Sequence, residues 1–393
     1  MNMKRLLKIL PLHSLLLLGM ALVFSVPYRI SLMVQPTWLA YILLTGILTV
    51  LFAGFLLPSC FERSRLKALW PGEVLVLFLA ALPRIYWISK YPVESKYGDM
   101  LPLIQMACER FLSGEFPYAY YKVPWPLPLT FFPGLWVSYL PTAFSGIDPR
   151  WIGLLSTLGC VFLMLKSIRS YWQYGVILAF CLLPVFSFFT VNGHTQPFWL
   201  MLCAFAFCYI RGLHFFAALC LGLAFATRQT AVILFPFAVL GWWRELGFKQ
   251  SIRPVFITGA VTGFICLPFF LIDPDAFLLE PLRHYEELAQ AYRDGAGDPT
   301  RLLETFGFAN LLHLVGASPL LGWGRLGVCL LGFIGCFRFA RTPDDYIRWM
   351  AVTGLFFTLF TPIPWIYAYF PFWLLAFFTV GREADLRADR KYP

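Results

Sequence analysis

The sequence has little charge. Only 13% of its 393 residues are Asp, Glu, Lys or Arg and 59% are hydrophobic, whereas a soluble domain has about 25% charged residues. This deficit excludes a conventional soluble protein, because a water-exposed surface needs more polar side chains. Apolar stretches of roughly 20 residues recur along the chain, and each is long enough to cross a bilayer. We therefore predict an all-α polytopic integral membrane protein with about 12–13 membrane helices, forming one transmembrane domain over residues 1–393.

Metal and disulfide signatures are also missing. The 10 cysteines lie mostly inside apolar stretches, and no Cys-x-x-Cys or Cys/His cluster has the spacing of a zinc site. We interpret them as small hydrophobic residues. The formal net charge of +10 comes from basic residues scattered between apolar stretches, which predicts cytoplasmic loops and no nucleic-acid partner. Residues 1–26 resemble a signal peptide but lack a small-x-small cleavage site, so a retained first helix is favoured.

Basic residues predict which side of the membrane each loop faces. The clusters around Lys4 and Arg63 and the tail beginning at Arg382 are expected in the cytoplasm. Counting spans from both ends then puts two polar segments on the non-cytoplasmic face, a first outer segment (90–126) and a second outer segment (273–317). The predicted spans are roughly 7–26, 33–57, 71–89, 127–144, 149–168, 174–190, 195–211, 213–227, 229–244, 252–272, 318–340, 345–361 and 363–380.

The number of spans between the outer segments raises a parity problem. Two segments on one side require an even number of crossings, whereas seven predicted spans separate them. The Pro-rich stretch "YKVPWPLPLTFFPGLWVSYLP" could enter the membrane without crossing it, because each proline removes a backbone donor. The rival solution merges 213–244 into one helix interrupted near Arg228. The sequence favours the first solution.

Ionisable groups beside apolar stretches are costly and are therefore candidates for function. In "SKYGDM", Asp99 follows a predicted span and comes shortly after Lys96. A carboxylate at this boundary could take a proton from an attacking hydroxyl, as a general base does. An equally good interpretation is a helix N-cap for residues 100–112, since Asp is a favoured capping residue.

Arg228 is the second candidate. It lies in "LAFATRQTAVILFPF" with no acidic residue nearby, and a guanidinium cannot lose its charge there. A ligand phosphate would suit it, because arginine offers two parallel donors; an intramembrane ion pair or a snorkelling loop position would also explain it. The polar turn "TVNGHTQPFW" adds His194 and Gln196 as candidates for substrate binding, although a plain Asn-Gly loop accounts for it too.

The second outer segment begins with "DPDAFLLEPLRHYEELAQAYRDG". Asp273 before a proline predicts a helix N-cap, and an apolar stripe predicts a helix lying at the membrane interface. The first outer segment has a similar stripe over 101–112. Asp273 and Asp275 could bind Mg²⁺, but capping is the favoured interpretation. Three further candidates could contact either substrate or lipid headgroups: Arg283, His284 and Tyr285.

In their order along the chain, these elements resemble the polyprenol-phosphate-sugar-dependent glycosyltransferases of the GT-C fold, especially the bacterial and mannosyltransferase-like branches. The resemblance covers about residues 71–290. It rests on "YGDMLPLIQMACERFLSGEFPYAYYKVPWPLPLTFFPG", "NGHTQPFWLMLCAFAF", "GLAFATRQTAVILFP" and "LIDPDAFL". In that family an Asp opens the first large outer loop, and interfacial helices and a Pro-rich run follow. One departure is that the Asp here follows the third predicted span rather than the first.

The resemblance implies an inverting glycosyltransferase in a bacterial cytoplasmic membrane, with its site facing the periplasm or the exterior. The donor would be a polyprenyl-phosphate sugar, and the acceptor a hydroxyl of a glycan, glycolipid or protein. Asp99 would be the general base. Arg228, with Lys96 or Arg283, would stabilise the departing phosphate without a metal or cofactor. Substrate contacts would come from His194, Gln196, His284 and Tyr285.

Other functional classes stay open at this point. A lipid-linked-glycan flippase or transporter would use Asp99 and Arg228 to line a pathway, and a glycan polymerase or ligase would share the lipid-phosphate donor. Carriers usually place their charges near the bilayer midplane at the interface of internal repeats. Here Asp99 is predicted at the outer edge and no repeat is visible, so the sequence favours the glycosyltransferase.

Overall fold

The computed structural model describes residues 70–95, 98–123, 126–167, 171–182, 184–295, 307–363 and 366–380. Within these ranges the regular structure is almost entirely helical, as predicted, and one small hairpin is the exception. Three helices are long and apolar enough to cross a membrane: Gly72–Lys90, Phe248–Ile272 and Pro319–Phe339. The predicted spans 7–26 and 33–57 and the basic clusters near both chain ends lie outside the described residues.

The elements follow one another in this order. The first half contains α1 (Trp70–Lys90), α2 (Met100–Leu112), β1 (Tyr120–Lys122), β2 (Pro126–Pro128), α3 (Pro133–Val137), α4 (Leu140–Ser145), α5 (Arg150–Leu165), α6 (Tyr171–Leu182), α7 (Pro184–Asn192) and α8 (Gln196–Ile210). The second half contains α9 (His214–Thr227), a 3₁₀ helix (Gln229–Leu234), α10 (Phe235–Leu246), α11 (Phe248–Ile272), a π-helical turn (Asp275–Leu279), α12 (Glu280–Asp294), α13 (Ala309–Leu314), α14 (Pro319–Phe339), α15 (Pro343–Leu359), a 3₁₀ turn (Ile366–Ala368) and α16 (Phe370–Val380).

The Pro-rich stretch does not form a spanning helix, as the favoured solution of the parity problem predicts for 127–144. Strands β1 and β2 pair antiparallel with Tyr121 opposite Leu127, and α3 and α4 contain only 5 and 6 residues. Its prolines cannot donate the hydrogen bonds of a continuous helix, and both short helices begin at or next to one. Removing this stretch leaves an even number of predicted spans between the outer segments.

The rival solution, one interrupted helix over 213–244, is wrong. His214 begins α9 and Glu245 lies in the last turn of α10, yet their side chains approach to 3.9 Å between Nε2 and Oε2. A single helix would separate these residues by roughly 45 Å at 1.5 Å per residue. The chain therefore reverses direction at Arg228, where α9 ends.

The predicted span 174–190 is divided into two helices. α6 ends at Leu182 and α7 begins at Pro184, because proline can start a helix but cannot continue its hydrogen-bond ladder. Arg84 of α1, which is fully buried, fills the break. Its guanidinium donates to the carbonyl of Cys181 (3.0 Å) and to the hydroxyl of Thr190 (2.7 Å). This arginine holds α1, α6 and α7 together.

Polar contacts define two opposite ends of the bundle. At what we call the Glu245 end, the Tyr209 hydroxyl donates to Glu245 (3.0 Å). Arg211 nearby donates to the carbonyl of Lys166 (2.9 Å), and the Lys166 ammonium pairs with Glu73 (2.6 Å). These contacts tie the ends of α1, α5, α8 and α10 together.

The other end, called the Asp99 end, brings the two outer segments together. The Tyr120 hydroxyl donates to the Glu280 carboxylate (2.5 Å), and the rings of Tyr118 and Phe277 lie 5.0 Å apart between centroids. α2, the β-hairpin, α3 and the π-helical turn share one buried apolar cluster. The two segments thus form one layer across this end of the bundle.

Candidate functional site

Asp99 occupies the cap position of α2, but its side chain makes no capping hydrogen bond. Its loop is pressed against the α7–α8 turn, because a Cβ added to Gly98 would lie 2.7 Å from the carbonyl oxygen of Asn192. Burial raises the pKa of the Asp99 carboxyl, although the amides of Asp99 and Met100 and the charge of His284 oppose the shift. The raised pKa makes this carboxylate a stronger base. Capping therefore explains why Asp99 stands at the start of α2, but it does not explain why its side chain makes no capping bond and has a raised pKa.

His194 lies buried in the α7–α8 turn, 3% exposed. Its carbonyl accepts a hydrogen bond from the Tyr139 hydroxyl (3.0 Å), and its ring packs on Phe131 with 4.4 Å between centroids. Burial, aided by the charge of Arg228, holds the pKa of His194 well below its usual range. Its Nε2 has no hydrogen-bond partner within the described part of the chain. His194 is thus a neutral imidazole with one free ring nitrogen.

The side-chain amide of Gln196 is not exposed and makes a structural contact. It is fully buried, and its Nε2 donates to the carbonyl of Phe189 (2.6 Å). A Cβ added to Gly193 would lie 3.1 Å from the same amide nitrogen. Gln196 therefore ties α8 back to α7, and this geometry favours support of the turn over substrate contact.

Arg228 ends α9 with an extended backbone (φ −150°, ψ 125°) before the 3₁₀ helix begins. The next residue, Gln229, donates to the carbonyl of Thr130 (3.1 Å), which fixes the turn to the Pro-rich stretch. The Arg228 guanidinium lies over the ring of Tyr367, with 5.6 Å from Cζ to the centroid. Within the described ranges it forms no ion pair, so the intramembrane pair considered from the sequence is not present there.

Tyr367 is the side chain on which the candidate groups converge. Its hydroxyl contacts Arg228, and the charges of both Asp99 and Arg228 act on it. The His194 ring lies 6.0 Å away between centroids, and Tyr285 is also within electrostatic range. Burial raises the pKa of the Tyr367 hydroxyl, which keeps it neutral and able to donate a hydrogen bond. The fold thus brings Asp99 and Arg228, from distant parts of the sequence, to one residue.

A cavity of about 390 Å³ opens beside Arg228, a size typical of small-molecule sites. Its walls come from the α9 turn, α12, α14, α15 and α16, and most of the lining is apolar. Three charged side chains face it: Arg228, Arg325 and Glu286. Asp99 is not among the lining residues, so its carboxylate lies outside this cavity.

The three candidate residues on α12 lie in different surroundings. Tyr285 lines the cavity. His284 lies within electrostatic range of Asp99, and burial lowers its pKa against the opposing charges of Glu287 and Asp99. Arg283 is exposed and pairs with Glu280 (2.5 Å), and it is not among the lining residues. The expectation that Arg283 meets the phosphate therefore finds no support in the geometry.

Two other expectations concern Lys96 and a metal. Lys96 lies outside the described residues. Asp273 Oδ1 accepts a hydrogen bond from the amide of Ala276 (2.9 Å), which is the contact that N-capping predicts. Within the described ranges, no group of three or more His, Cys, Asp or Glu side chains is placed to hold a metal ion.

The sequence reasoning missed Arg325 and Tyr367. Arg325 stands in the apolar run "GWGRLGVCLLGF", and the rule that selected Arg228, a charge inside an apolar stretch, applies to it equally. Tyr367 lies in "TPIPWIYAYF", where two prolines signal a break between helices. Nothing in that pattern indicates that its hydroxyl would meet Arg228.

Comparisons with protein-family models, curated proteins and solved structures found no match to this chain. The fold and the site define a helical protein whose described part contains three helices able to cross a membrane and a charged, apolar-walled cavity at one end. The resemblance to GT-C glycosyltransferases stays a prediction from the order of the motifs.

Proposed function

We propose that the protein is a GT-C-like membrane glycosyltransferase that moves a sugar from a polyprenyl monophosphate to an acceptor hydroxyl with inversion. The observation that carries the proposal is the convergence at Tyr367 of a half-buried carboxylate, Asp99, and a guanidinium without a carboxylate partner, Arg228. Beside them lies a largely apolar cavity. A carboxylate base and a phosphate-binding cation are the two groups that this transfer requires.

In the proposed reaction, the acceptor hydroxyl gives its proton to Asp99 and attacks the anomeric carbon of the donor sugar. The bond between that carbon and the phosphate oxygen breaks, and its electron pair leaves with the polyprenyl phosphate. Arg228 stabilises the negative charge that forms there. Tyr367 holds the guanidinium, and its neutral hydroxyl contributes a hydrogen bond. Side-chain cations perform the charge stabilisation, so we expect transfer to proceed in the presence of EDTA.

The apolar surroundings support this chemistry. The cavity wall formed by the π-helical turn and α12 carries Leu278, Pro281 and Leu282, so the second outer segment covers the cavity with an apolar face. Exclusion of water would strengthen the contacts to phosphate and disfavour donor hydrolysis. The nearby neutral His194, with its free Nε2, could accept a hydrogen bond from a sugar hydroxyl.

We propose a polytopic arrangement in a bacterial cytoplasmic membrane, with the Asp99 end on the periplasmic or outer side. The Glu245 end is rich in basic residues that connect helices, among them Lys166, Arg211 and Arg244. The positive-inside rule assigns such loops to the cytoplasm. Both outer segments then face the opposite side, where lipid-linked sugar donors and cell-envelope acceptors would be met.

The test is sugar transfer by purified protein in proteoliposomes, with a panel of lipid-phosphate hexoses and pentoses as donors. Asp99→Asn is expected to abolish transfer at unchanged protein yield, because the amide cannot take the proton. Asp294→Asn is the matched control, since Asp294 is an exposed carboxylate at the end of α12 whose described contact is with Gln290. Wild-type rates in Asp99→Asn would falsify the base assignment.

A detergent assay separates the enzyme from a flippase or transporter. Donor and acceptor are given together to the solubilised protein, where no bilayer divides them. Turnover in detergent requires an enzyme, because a flippase has no substrate to move without a membrane. Movement of a lipid-linked glycan in vesicles without transfer to any acceptor would assign the protein to the flippase class instead.

A further inference from the structure

Among the described residues, the arginines that are wholly or partly buried fall into two groups. Four have protein acceptors: the Arg84 guanidinium donates to Thr190 and Cys181, that of Arg150 to Asp148 and Ile88, that of Arg244 to Ala340, and that of Arg348 to Asp345 and Thr379. Arg228 and Arg325 differ from these. Arg228 rests on Tyr367, and Arg325 forms no ion pair or hydrogen bond with any described residue.

The position of Arg325 explains why its lack of a hydrogen-bond acceptor among the described residues points to a ligand. It lies on α14, one of the three helices able to cross a membrane, about two turns from the helix start at Pro319. Its guanidinium lies 6.0 Å from the centroid of the Phe357 ring, and it lines the same cavity as Arg228. An arginine keeps its charge in apolar surroundings. A charge retained on a spanning helix and directed into a cavity indicates an anionic ligand.

We propose that Arg325 is a second phosphate-binding residue, which together with Arg228 holds the phosphate of an alkyl monophosphate in this cavity. The two arginines enter the cavity from different walls, the end of α9 and the first two turns of α14. The role of Arg325 in sugar transfer rests on the proposed function, whereas its role in phosphate binding does not.

The negative charge on the lipid phosphate increases during transfer, and a second guanidinium would stabilise it. A sugar linked to a lipid monophosphate is a phosphodiester with one negative charge. When the sugar moves to the acceptor oxygen and the acceptor's proton goes to Asp99, the lipid phosphate leaves as a monoester with up to two negative charges. Two guanidiniums, from Arg228 and Arg325, match the charge of the product better than that of the donor. Arg325 would therefore contribute more to the departing group than to donor binding.

The experiment measures binding of dodecyl phosphate to the purified full-length protein in a non-ionic detergent. We expect Arg325→Gln to weaken binding by roughly tenfold to a hundredfold, as the loss of charge-assisted hydrogen bonds implies. Arg325→Lys should retain part of the affinity. Arg338→Gln is the matched control, because Arg338 is an exposed arginine at the other end of the same helix and should bind as wild type does.

Two further ligands identify what the site recognises. Dodecanol lacks the phosphate and should show no difference between wild type and Arg325→Gln. Inorganic phosphate lacks the chain and should compete only weakly; equal competition would assign the site to free phosphate and overturn the alkyl phosphate. Wild-type affinity of Arg325→Gln for dodecyl phosphate, or no binding by the wild-type protein, would overturn the role of Arg325.

A measurement on the wild-type protein covers the case in which Arg325→Gln does not fold. Phenylglyoxal modifies accessible arginines, and mass spectrometry identifies them. Dodecyl phosphate should protect Arg325 and Arg228 while leaving Arg338 reactive, and unchanged labelling of Arg325 would contradict the proposal. If the wild-type protein transfers no sugar from any donor but still shows this protection, the proposed function fails and the phosphate site stands. If transfer occurs, Arg325→Gln should lower kcat more than it raises KM.

Discussion

At the scale of single residues, Asp99 occupies the cap position of α2 without making the capping contact. A capping carboxylate is stabilised by the amides of the first helical turn, so its ionised form stabilises the folded protein. The Asp99 side chain makes no capping hydrogen bond, and burial raises its pKa against the opposing effect of the amides of Asp99 and Met100. A raised folded pKa means that the ionised carboxylate opposes folding. Capping and base catalysis thus predict opposite effects of removing the charge.

This difference gives a stability prediction. Because the folded pKa of Asp99 lies above the ordinary value of about 3.9, the stability that its proton contributes is present below that value and is lost as pH rises through the folded pKa. Asp99→Asn should therefore raise the thermal unfolding temperature at pH 7, and the gain should shrink toward pH 4. Thermal melts of wild type and variant in one detergent at both pH values would measure this.

The control for that measurement is a carboxylate that does cap. Asp345 accepts hydrogen bonds from the backbone amides of Arg341 (2.9 Å) and Thr342 (3.0 Å) at the start of α15. Asp345→Asn should lower stability by about 1 kcal/mol. A loss of stability at pH 7 in Asp99→Asn as well would show that Asp99 is a cap and would remove the physical basis for a base.

Sequence reasoning reached some of these residues and not others. Asp99, Arg228 and His194 stand beside apolar stretches, and the cost of charge and polarity there made them visible. That their side chains meet at Tyr367 could not be read from the sequence, because the meeting depends on how α7, α9 and the 3₁₀ turn pack. Arg84 and Arg325 both stand in apolar sequence, so the sequence does not distinguish them. The structure does, because Arg84 has protein acceptors and is therefore structural.

At the scale of elements, the α7–α8 turn positions the Asp99 loop. Gly98 lies so close to the carbonyl oxygen of Asn192 that a Cβ would approach it to 2.7 Å. The oxygen belongs to the backbone at the end of α7 and cannot move alone. The turn is itself held by His194, Gln196 and their partners. The polar turn identified in the sequence therefore acts as a support for the neighbouring carboxylate.

Gly98→Ala tests this support. The added methyl group should displace the loop and move Asp99 while leaving the helices in place, and a shift of about 1 Å can cost up to roughly a hundredfold in rate. We expect sugar transfer to fall by about tenfold or more with near-normal protein yield. Gly259→Ala is the control, because a Cβ at Gly259 in α11 meets nothing within 4 Å. Equal activity in both variants would show that the close approach does not position Asp99.

Proline explains where the predicted elements succeeded and failed. Apolar length predicted α1, α11 and α14 to within a few residues, because a long run without breaks has one dominant solution. Hydrophobicity alone could not separate the Pro-rich stretch 127–144 from a span, since its apolar content is just as high. Missing backbone donors decided its structure as a hairpin and two short helices. The same effect divided the predicted span 174–190 at Pro184.

At the scale of the whole molecule, the two ends differ in chemistry. The Asp99 end carries the cavity, the two outer segments and the candidate site, whereas the Glu245 end carries salt bridges and basic residues. Helices connect the two ends. For example, α9 runs from the Glu245 end to Arg228, and α10 runs back to the Glu245 end. An enzyme acting on a lipid-linked donor would need all its reacting groups on one membrane face, and this arrangement satisfies that requirement.

The sidedness of the two ends gives the last prediction. Ser113 at the end of α2 and Gln250 in the first turn of α11 are both exposed and lie at the Asp99 end and the Glu245 end respectively. In intact bacteria, a membrane-impermeant maleimide should label Ser113→Cys, and Gln250→Cys should react only after permeabilisation. The wild-type protein supplies the background, because its described cysteines are buried or half-buried. Labelling of both variants in intact cells would mean that the ends share a side, which the five predicted crossings between Ser113 and Gln250 do not allow.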